Sequence, residues 1–168
     1  MIHIDNREIG EDTLYMTLLD LVKPELVLPK MNCSSKNELI AKLIDQIYNT
    51  KHELPFPKEE VWNSIDIREQ IGGTLLPSGL SVPHARLRDY DGIILAIGIP
   101  DEALFQGGHQ IHMMALLITS QSGGQFYLPV LAALTKISKN TEFFSRLCGA
   151  VNSKDFINIL RENNPELA

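Results

Sequence analysis

"IREQIGGTLLPSGLSVPHAR", residues 67–86, is the stretch from which the fold and the function of this chain are best approached. Five residues that favour turns lie within twelve consecutive positions of this stretch, and they are Gly72, Gly73, Pro77, Gly79 and Pro83. The sequence therefore predicts an irregular segment between a helix and a strand. Loops that a rigid scaffold positions often carry functional groups, so this segment is the first place to look for chemistry.

His84 follows Pro83 near the end of this stretch. Proline fixes its own φ and biases Val82 toward an extended conformation, so the backbone that leads into His84 is stiff. A stiff backbone holds an imidazole at a defined angle, and a neutral ring nitrogen can act as a nucleophile at neutral pH. A turn histidine with a purely structural role fits the same residues, and both interpretations stay open at this point.

Arg68 lies sixteen residues before His84 and closes a predicted helix. It could simply be a cation that the helix dipole favours at a C-terminus. It could also lie beside His84, because the glycine-rich segment between them must turn back, and it would then bind an anion through several donors. The hydroxyls of Thr74, Ser78 and Ser81 could each donate to a phosphoryl oxygen.

Helices and strands are predicted on both sides of this stretch. Apolar periodicity and end signals predict helices at 34–49 (with a capping box of Ser35 and Glu38), 56–70, around 127–137, 141–151 and 153–162 (with Ser153 as its N-cap). Apolar runs predict strands at 21–30, 91–100 and 111–120, the last two buried on both faces of a sheet. This alternation indicates an α/β fold with helices packed against a central sheet.

The composition limits the function classes. The chain has 168 residues, enough for one domain, with 15 basic and 21 acidic residues and a net charge of −6. This balance argues against a nucleic-acid partner, which would require dense positive charge. The N-terminus has no signal-peptide pattern and the apolar runs are too short to insert in a membrane, so we expect a cytoplasmic protein.

Metal and nucleotide sites are not predicted. Cys33 and Cys148 have no second ligand at metal-binding spacing, and His109 and His112, if both are on a strand, would point to opposite faces. The sequence contains neither a phosphate-binding P-loop nor a dinucleotide-binding glycine pattern. We therefore expect no cofactor and no metal.

Residues 67–86 closely resemble the active-site stretch of the mannitol/fructose-type (type 2) enzyme IIA domains of the bacterial phosphoenolpyruvate-dependent phosphotransferase system, including the nitrogen-related branch. An Arg-Glu pair, a Thr- and Gly-containing segment and a Pro-His pair followed by a small and a basic residue occur there in this order. The matching residues here are Arg68-Glu69, Thr74, Gly79, Pro83-His84, Ala85 and Arg86. The order of elements extends the resemblance over residues 18–165, which we expect to form one domain with a central mixed sheet, preceded by an extension at 1–17.

The resemblance implies that His84 accepts a phosphoryl group on Nε2 from a phosphorylated histidine phosphocarrier protein (HPr) or a paralogue. His84 would then pass the group to an enzyme IIB domain in sugar uptake or in a nitrogen-related relay. It also implies that Arg68 neutralises charge on the transferring oxygens and that Thr74 adds a donor. Positioning and charge stabilisation of this kind account for most catalysis of phosphoryl transfer.

The chain departs from the family pattern at Tyr127, which takes the place of a second histidine. A tyrosine can donate a hydrogen bond to a phosphoryl oxygen, but it cannot become a cation, so transfer could be reduced, with Arg86 compensating. Tyr127 could equally just pack on its helix face. A second function therefore stays open: a regulatory module that binds a kinase or a transporter according to, or independently of, phosphorylation of His84. The sequence does not decide the oligomeric state.

Overall fold

The computed structural model describes residues 16–51, 53–88, 90–121 and 124–167, and most of its strands follow one another in the middle of the chain, with helices before and after them. The helices are α1 Leu18–Leu21, α2 Lys36–Thr50, α3 Lys58–Gly72, α4 Gly124–Lys139, α5 Thr141–Cys148 and α6 Ser153–Arg161. The strands are β1 Val27–Met31, β2 Leu80–Ser81, β3 His84–Leu87, β4 Ile93–Pro100, β5 Leu104–Gln106, β6 His109–Ile111 and β7 Met113–Ser120. Of the predicted N-terminal extension, residues 1–15 lie outside the described residues.

β4 and β7 form the centre of a mixed sheet. They pair antiparallel, with Leu95 opposite Leu117, and every residue of both strands is buried. β1 is parallel to β4 on one side, while β2 and β3 are both parallel to β7 on the other. The predicted α/β class with a mixed central sheet and flanking helices is confirmed.

The two faces of the sheet carry separate apolar cores. Alternate residues such as Leu95 and Leu117 face a core built with α1, α4, α5 and α6. Their neighbours Ala96 and Leu116 face a second core built with α2 and α3. Successive side chains of a strand point to opposite faces, so a strand covered on both faces is apolar at every position. The prediction of two strands buried on both faces is confirmed.

Two helix N-termini differ from the prediction. The Ser35 hydroxyl accepts the Glu38 N–H as expected, but the Glu38 carboxylate accepts the N–H of Ser34 rather than that of Ser35, so the predicted capping box is only half formed. The N-cap of α6 is Asn152, whose side chain accepts the Asp155 N–H, and the prediction of Ser153 is wrong. Asparagine is as good an N-cap as serine, so residue type alone did not separate these neighbours.

The stretch predicted as irregular contains two short strands, and that part of the prediction is wrong. Gly79 has φ +94° and its N–H donates to the Leu76 carbonyl at 2.9 Å, which makes the tight turn before β2. Pro83 then separates β2 from β3, since proline has no N–H for a sheet. Helix α3 also runs on to Gly72, so Arg68 lies inside it and does not close it.

Residues 104–111 form a β-hairpin of β5 and β6 that the sequence analysis missed. Gly107 and Gly108 have φ +54° and +85° at its turn, and a Gly-Gly pair is a known signal for such a hairpin. The strand predicted at 21–30 is shorter, because the end of α1 and a 3-10 turn, Pro24–Leu26, precede β1. None of the helices within the described ranges has both the length and the apolarity that crossing a bilayer requires.

Helix α3 lies along β3, and one hydroxyl joins them. The Ser64 hydroxyl accepts the backbone N–H of Arg86 at 3.0 Å and donates to the backbone carbonyl of Arg86 at 3.4 Å. The alternate residues of β3, Ala85 and Leu87, are the ones whose backbone faces β7, as the bond from the Gln121 N–H to the Leu87 carbonyl shows. Ser64 thus satisfies strand groups that have no partner in the sheet.

Candidate functional site

His84 is the first residue of β3, and the backbone before it is fixed by hydrogen bonds. The Val82 N–H donates to the Thr74 carbonyl at 2.7 Å, and the Leu117 N–H donates to the Pro83 carbonyl at 3.0 Å. The His84 side chain is only 2% exposed. The sheet therefore positions this imidazole, where the sequence suggested a loop.

The two ring nitrogens of His84 have different surroundings. The imidazole donates a hydrogen bond to the Val82 carbonyl, while Nε2 is buried and has no hydrogen-bond partner among the described residues, which makes Nδ1 the donor. Burial, followed by the positive charges of Arg68 and Arg86, lowers the pKa of His84 to about 4. At neutral pH the ring is therefore uncharged, with a free electron pair on Nε2.

Tyr127 lies against this ring. It is the fourth residue of α4, is 5% exposed, and its ring stacks on the imidazole with centroids 4.3 Å apart and planes 29° apart. The Arg86 guanidinium lies 5.2 Å from the centroid of the Tyr127 ring, within the range of a cation–π contact. The residue that we expect to take the place of the family's second histidine is thus in direct contact with His84.

Arg68 and Arg86 approach His84 from different elements. Arg68 projects from α3 and Arg86 follows two positions after His84 on β3. The charges of both lower the pKa of His84, and a positive charge that disfavours the imidazolium favours an anion at the same ring. This electrostatic influence is consistent with the predicted proximity of Arg68 and His84, and the role of each residue stays a prediction.

The remaining predicted residues lie elsewhere or act through their backbone. Thr74 contributes its carbonyl to the Val82 N–H, and its hydroxyl has no recorded contact with His84. Ser81 is fully buried, and Ser78 lines a cavity away from the imidazole.

Glu69, the second residue of the Arg-Glu pair, forms an ion pair with Lys36 of α2. Lys36 also donates to the Gln106 side chain at 2.9 Å, so Glu69 helps to hold three elements together.

A cleft of about 490 Å³ opens beside the arginines, and we call it the arginine cleft. It lies between α3, the segment before α3, and the ends of β3 and β7. Its polar wall includes the following side chains: Arg68, Arg86, Arg88, Glu60, Asn63 and Gln121. Arg68 and Arg86 are thus shared between the cleft and the surroundings of His84.

His109 and His112 line a second cavity, of about 390 Å³, together with Ser78 and Gly79. The expectation that they point to opposite faces held only for two residues of one strand, and it does not apply because β6 ends at Ile111 and His112 lies beyond it. Within the described ranges, His, Cys, Asp and Glu side chains nowhere gather in a group of three that could hold a metal ion.

Three residues of this region were not predicted to take part: Ser64, Arg88 and Gln121. Arg88 had a partial signal, because it follows Arg86 by two positions directly after a basic motif, although β3 ends at Leu87 and the side-chain alternation of a strand does not extend to it. Ser64 and Gln121 gave none, since their places depend on how α3 and β7 meet β3.

Comparison with known proteins agrees with this geometry. The family model described as "Phosphoenolpyruvate-dependent sugar phosphotransferase system, EIIA 2" matches residues 20–163. The chain belongs to this family. It is therefore an EIIA type 2 phosphocarrier-family domain, and the resemblance inferred from residues 67–86 is confirmed.

Relatives of this EIIA 2 domain include nitrogen-related and mannitol proteins. A nitrogen regulatory protein of Bradyrhizobium diazoefficiens is 23% identical over 149 residues, 86% of this chain and 95% of the relative. The crystal structure of nitrogen regulatory protein IIA-Ntr from Neisseria meningitidis has a TM-score of 0.75 at 17% identity and covers 85% of this chain and 98% of its own. Enzyme IIA mannitol of Escherichia coli, solved in complex with phosphorylated enzyme IIB mannitol, has a TM-score of 0.67 at 14% identity, with 84% and 98% coverage.

Proposed function

We propose that His84 is the phosphoryl acceptor of this EIIA 2 domain and that its donor is a phosphorylated HPr-like protein. The observation that carries the proposal is the neutral, buried Nε2, whose electron pair is free and on whose ring the positive charges of Arg68 and Arg86 act. Nδ1 keeps its proton through the bond to the Val82 carbonyl. The unprotonated nitrogen, Nε2, is therefore the one whose electron pair can attack phosphorus.

In the proposed step the Nε2 electron pair forms a bond to phosphorus while the P–N bond of the donor breaks. The electron pair of the broken bond stays on the ring nitrogen of the donor. His84 keeps the Nδ1 proton, which remains donated to Val82, so the phosphorylated ring carries a positive charge beside the phosphoryl oxygens. Arg68 and Arg86 stabilise the charge on those oxygens. The Thr74 backbone fixes Val82, and its hydroxyl is a candidate donor only after a rearrangement of its side chain.

Exposed apolar side chains near the site support docking of a protein donor and a protein acceptor. Ile67 and Ile71 lie on α3 and Leu128 lies next to Tyr127 on α4, and all three are more than half exposed. Contiguous exposed apolar surface is typical of protein-protein interaction sites. We propose an HPr-like donor and an enzyme IIB domain as successive partners, in line with the complex known for the mannitol relative.

The test is phosphorylation in a reconstituted system. The protein is incubated with phosphoenolpyruvate, enzyme I and its cognate HPr, and an acid-labile phosphoryl label is measured on the intact chain. His84→Gln should lose the label, while His109→Gln, a variant of an exposed histidine on the β5–β6 hairpin, should keep it. A label that persists in His84→Gln, or no label on the parent under conditions that label a known relative, contradicts the proposal.

A second function is favoured by the contact between Tyr127 and His84. Because the ring lies on the imidazole, phosphorylation of His84 and movement of Tyr127 are coupled, and this would change the surface around Leu128. The domain would then report the phosphorylation state to a kinase or a transporter, as a regulatory module. The name of the Bradyrhizobium relative, a nitrogen regulatory protein, is compatible with such a role.

The two functions predict different partners. Immobilised phosphorylated and unphosphorylated protein are exposed to purified enzyme IIB and, separately, to the candidate kinase or transporter. Phosphoryl transfer to enzyme IIB supports the relay. Binding to the kinase or transporter whose affinity differs between the phosphorylated and unphosphorylated protein, without phosphoryl transfer, supports regulation. Binding of equal affinity in both states means that phosphorylation of His84 has no part in the regulatory function.

A further inference from the structure

The arginine cleft gathers positive charge in a protein whose net charge is −6. Arg68 and Arg88 are exposed at its rim, and Arg86 is half-buried in its wall. Three like charges around one cavity repel each other, and Glu60 is the one acidic residue among the described residues that line the cleft. The lining therefore carries an excess of positive charge that an anion would balance.

These arginines have no carboxylate partner, as is true of several other surface cations of the described chain, and Arg86 differs from those in having a buried nitrogen without a hydrogen-bond partner. Carboxylates lie within ion-pair distance of Lys36, Lys42, Lys51, Lys58 and Arg146. No such pair forms at Arg68, Arg86 or Arg88 among the described residues, and the Arg86 Nε is buried without a hydrogen-bond partner. A buried donor with no acceptor is costly, and because Arg86 lines the cleft an anion bound there can supply an acceptor.

The walls of the cleft suit a small organic ligand. Phe56, Ile67 and Leu87 supply apolar surface opposite the charges, and Asn63 and Gln121 supply amides that can donate or accept. A cavity of about 490 Å³ is in the usual range for small-molecule sites. Guanidinium groups bind carboxylates and phosphates through paired hydrogen bonds. Glu60 at the wall disfavours a ligand that carries negative charge along its whole length.

We propose that the arginine cleft binds a small organic dianion, a dicarboxylate or a phosphate ester, and that its occupancy opposes phosphorylation of His84. Arg68 and Arg86 line the cleft, and their charges also act on His84. An anion bound to these arginines in the cleft therefore reduces their stabilisation of a phosphoryl group on His84. Coupling of this kind is reciprocal, so phosphorylation also weakens binding of the dianion. The coupling rests on the proposed function of His84, whereas binding in the cleft does not.

Arg88 separates these two parts of the proposal. It lines the cleft, but its charge is not among those that lower the pKa of His84. Arg88→Gln should therefore weaken binding of the dianion and leave phosphorylation of His84 intact in the absence of ligand. Glu60→Gln removes a negative charge that repels the dianion from the cleft, and it should tighten binding of the dianion. Arg161→Gln, a variant of an exposed arginine on α6, is the control for the loss of one positive charge.

The test is calorimetric titration of the full chain with succinate, glycerol 3-phosphate and inorganic phosphate, at constant ionic strength. We expect saturable binding of at least one of the two organic probes, weakened about tenfold by Arg88→Gln, strengthened severalfold by Glu60→Gln and unchanged by Arg161→Gln. The first two probes distinguish a carboxylate ligand from a phosphate ligand, and binding of inorganic phosphate alone would refute an organic ligand. Absence of binding, or equal weakening by Arg88→Gln and Arg161→Gln, overturns the cleft as a site.

The coupling has its own measurement. Phosphorylation of His84 is followed with and without the probe that binds, in the parent and in Arg88→Gln. A slower phosphorylation at saturating probe, relieved in Arg88→Gln, supports the coupling. If the probe binds and the rate of phosphorylation is unchanged, the cleft is a binding site but the proposed coupling to His84 is refuted. If the probe binds and His84 is never phosphorylated, the proposed function fails while the binding site remains.

Discussion

The ring of Tyr127 stacks on the imidazole of His84, with centroids 4.3 Å apart, and Nε2 of that imidazole is buried. Because Nε2 is buried, we expect a phosphoryl group to reach it only after neighbouring side chains move, and Tyr127 is in direct contact with the ring. We therefore predict that Tyr127, which the sequence comparison suggests in place of a second histidine, limits access to His84. The reactivity of His84 should depend on how often this contact opens.

Tyr127→Ala should make His84 more reactive because the ring that covers it is removed. Diethyl pyrocarbonate acylates neutral imidazole nitrogens, and peptide mass spectrometry gives the rate at His84 relative to the exposed His109. We expect this ratio to rise by about tenfold or more, since local opening no longer limits the reaction. Leu128→Ala, on the same helix with an exposed side chain, should leave the ratio unchanged. Equal ratios in Tyr127→Ala and the parent would show that Tyr127 does not limit access.

The stability of the protein should fall with acid because of His84. Its pKa is about 4 in the folded chain, against an ordinary value of 6.5. As the pH falls below 6.5 the unfolded chain takes up a proton that the folded chain does not, so the stabilisation present above pH 6.5 is lost progressively down to about pH 4. The loss is at most about 3 kcal/mol. Urea unfolding from pH 7 to 4 should show a flatter dependence in His84→Gln than in the parent or in His109→Gln, and identical slopes would contradict the assignment.

Arg68→Gln should raise the pKa of His84 toward its ordinary value and slow its phosphorylation. The positive charge of Arg68 disfavours the imidazolium and stabilises phosphoryl oxygens, so a single change moves both quantities. We expect roughly a tenfold loss of rate. NMR titration of the imidazole and the labelling assay measure the two effects. A residue that only packs would change the rate without moving the pKa, and Arg161→Gln should change neither.

Ser64→Ala should destabilise the protein by about 1–2 kcal/mol, because it leaves the backbone N–H of Arg86 without an acceptor. The change is read from the midpoint of urea unfolding. Ser145→Ala, on the exposed face of α5, is the matched control and should lie within about 0.5 kcal/mol of the parent. A Ser64→Ala variant as stable as Ser145→Ala would mean that water replaces the hydroxyl.

Much of the fold could be predicted because its elements have strong local signals. The five apolar positions of α2 and the continuous apolar runs of β4 and β7 are visible in the sequence and were assigned correctly. β2 and β3 are too short to show a period, and what makes them strands is pairing with β7, far along the chain. The β5–β6 hairpin did have a signal, the Gly107-Gly108 pair, and it was overlooked.

The candidate site was predictable only in part, for a similar reason. The sequence brought His84, Arg68, Arg86 and Tyr127 to attention. Tyr127 contacts His84 and Arg86 in the structure, and the charge of Arg68 acts on His84, while their functional roles stay predictions. The burial of Nε2 and the arginine cleft could not be foreseen, because they depend on how α3 and α4 pack on β3. The local sequence says which groups are present, and the packing decides which are covered.

The bond between Ser64 and Arg86 also restricts how partners can recognise this domain. Helix α3 lies along the outer edge of β3, and the backbone groups of Arg86 that could receive another strand are already occupied. A partner cannot extend the sheet at that position by main-chain pairing, which is largely indifferent to sequence. Recognition next to His84 must therefore depend on side chains, and the choice of partner can change by substitutions on the surface without any change in the sheet.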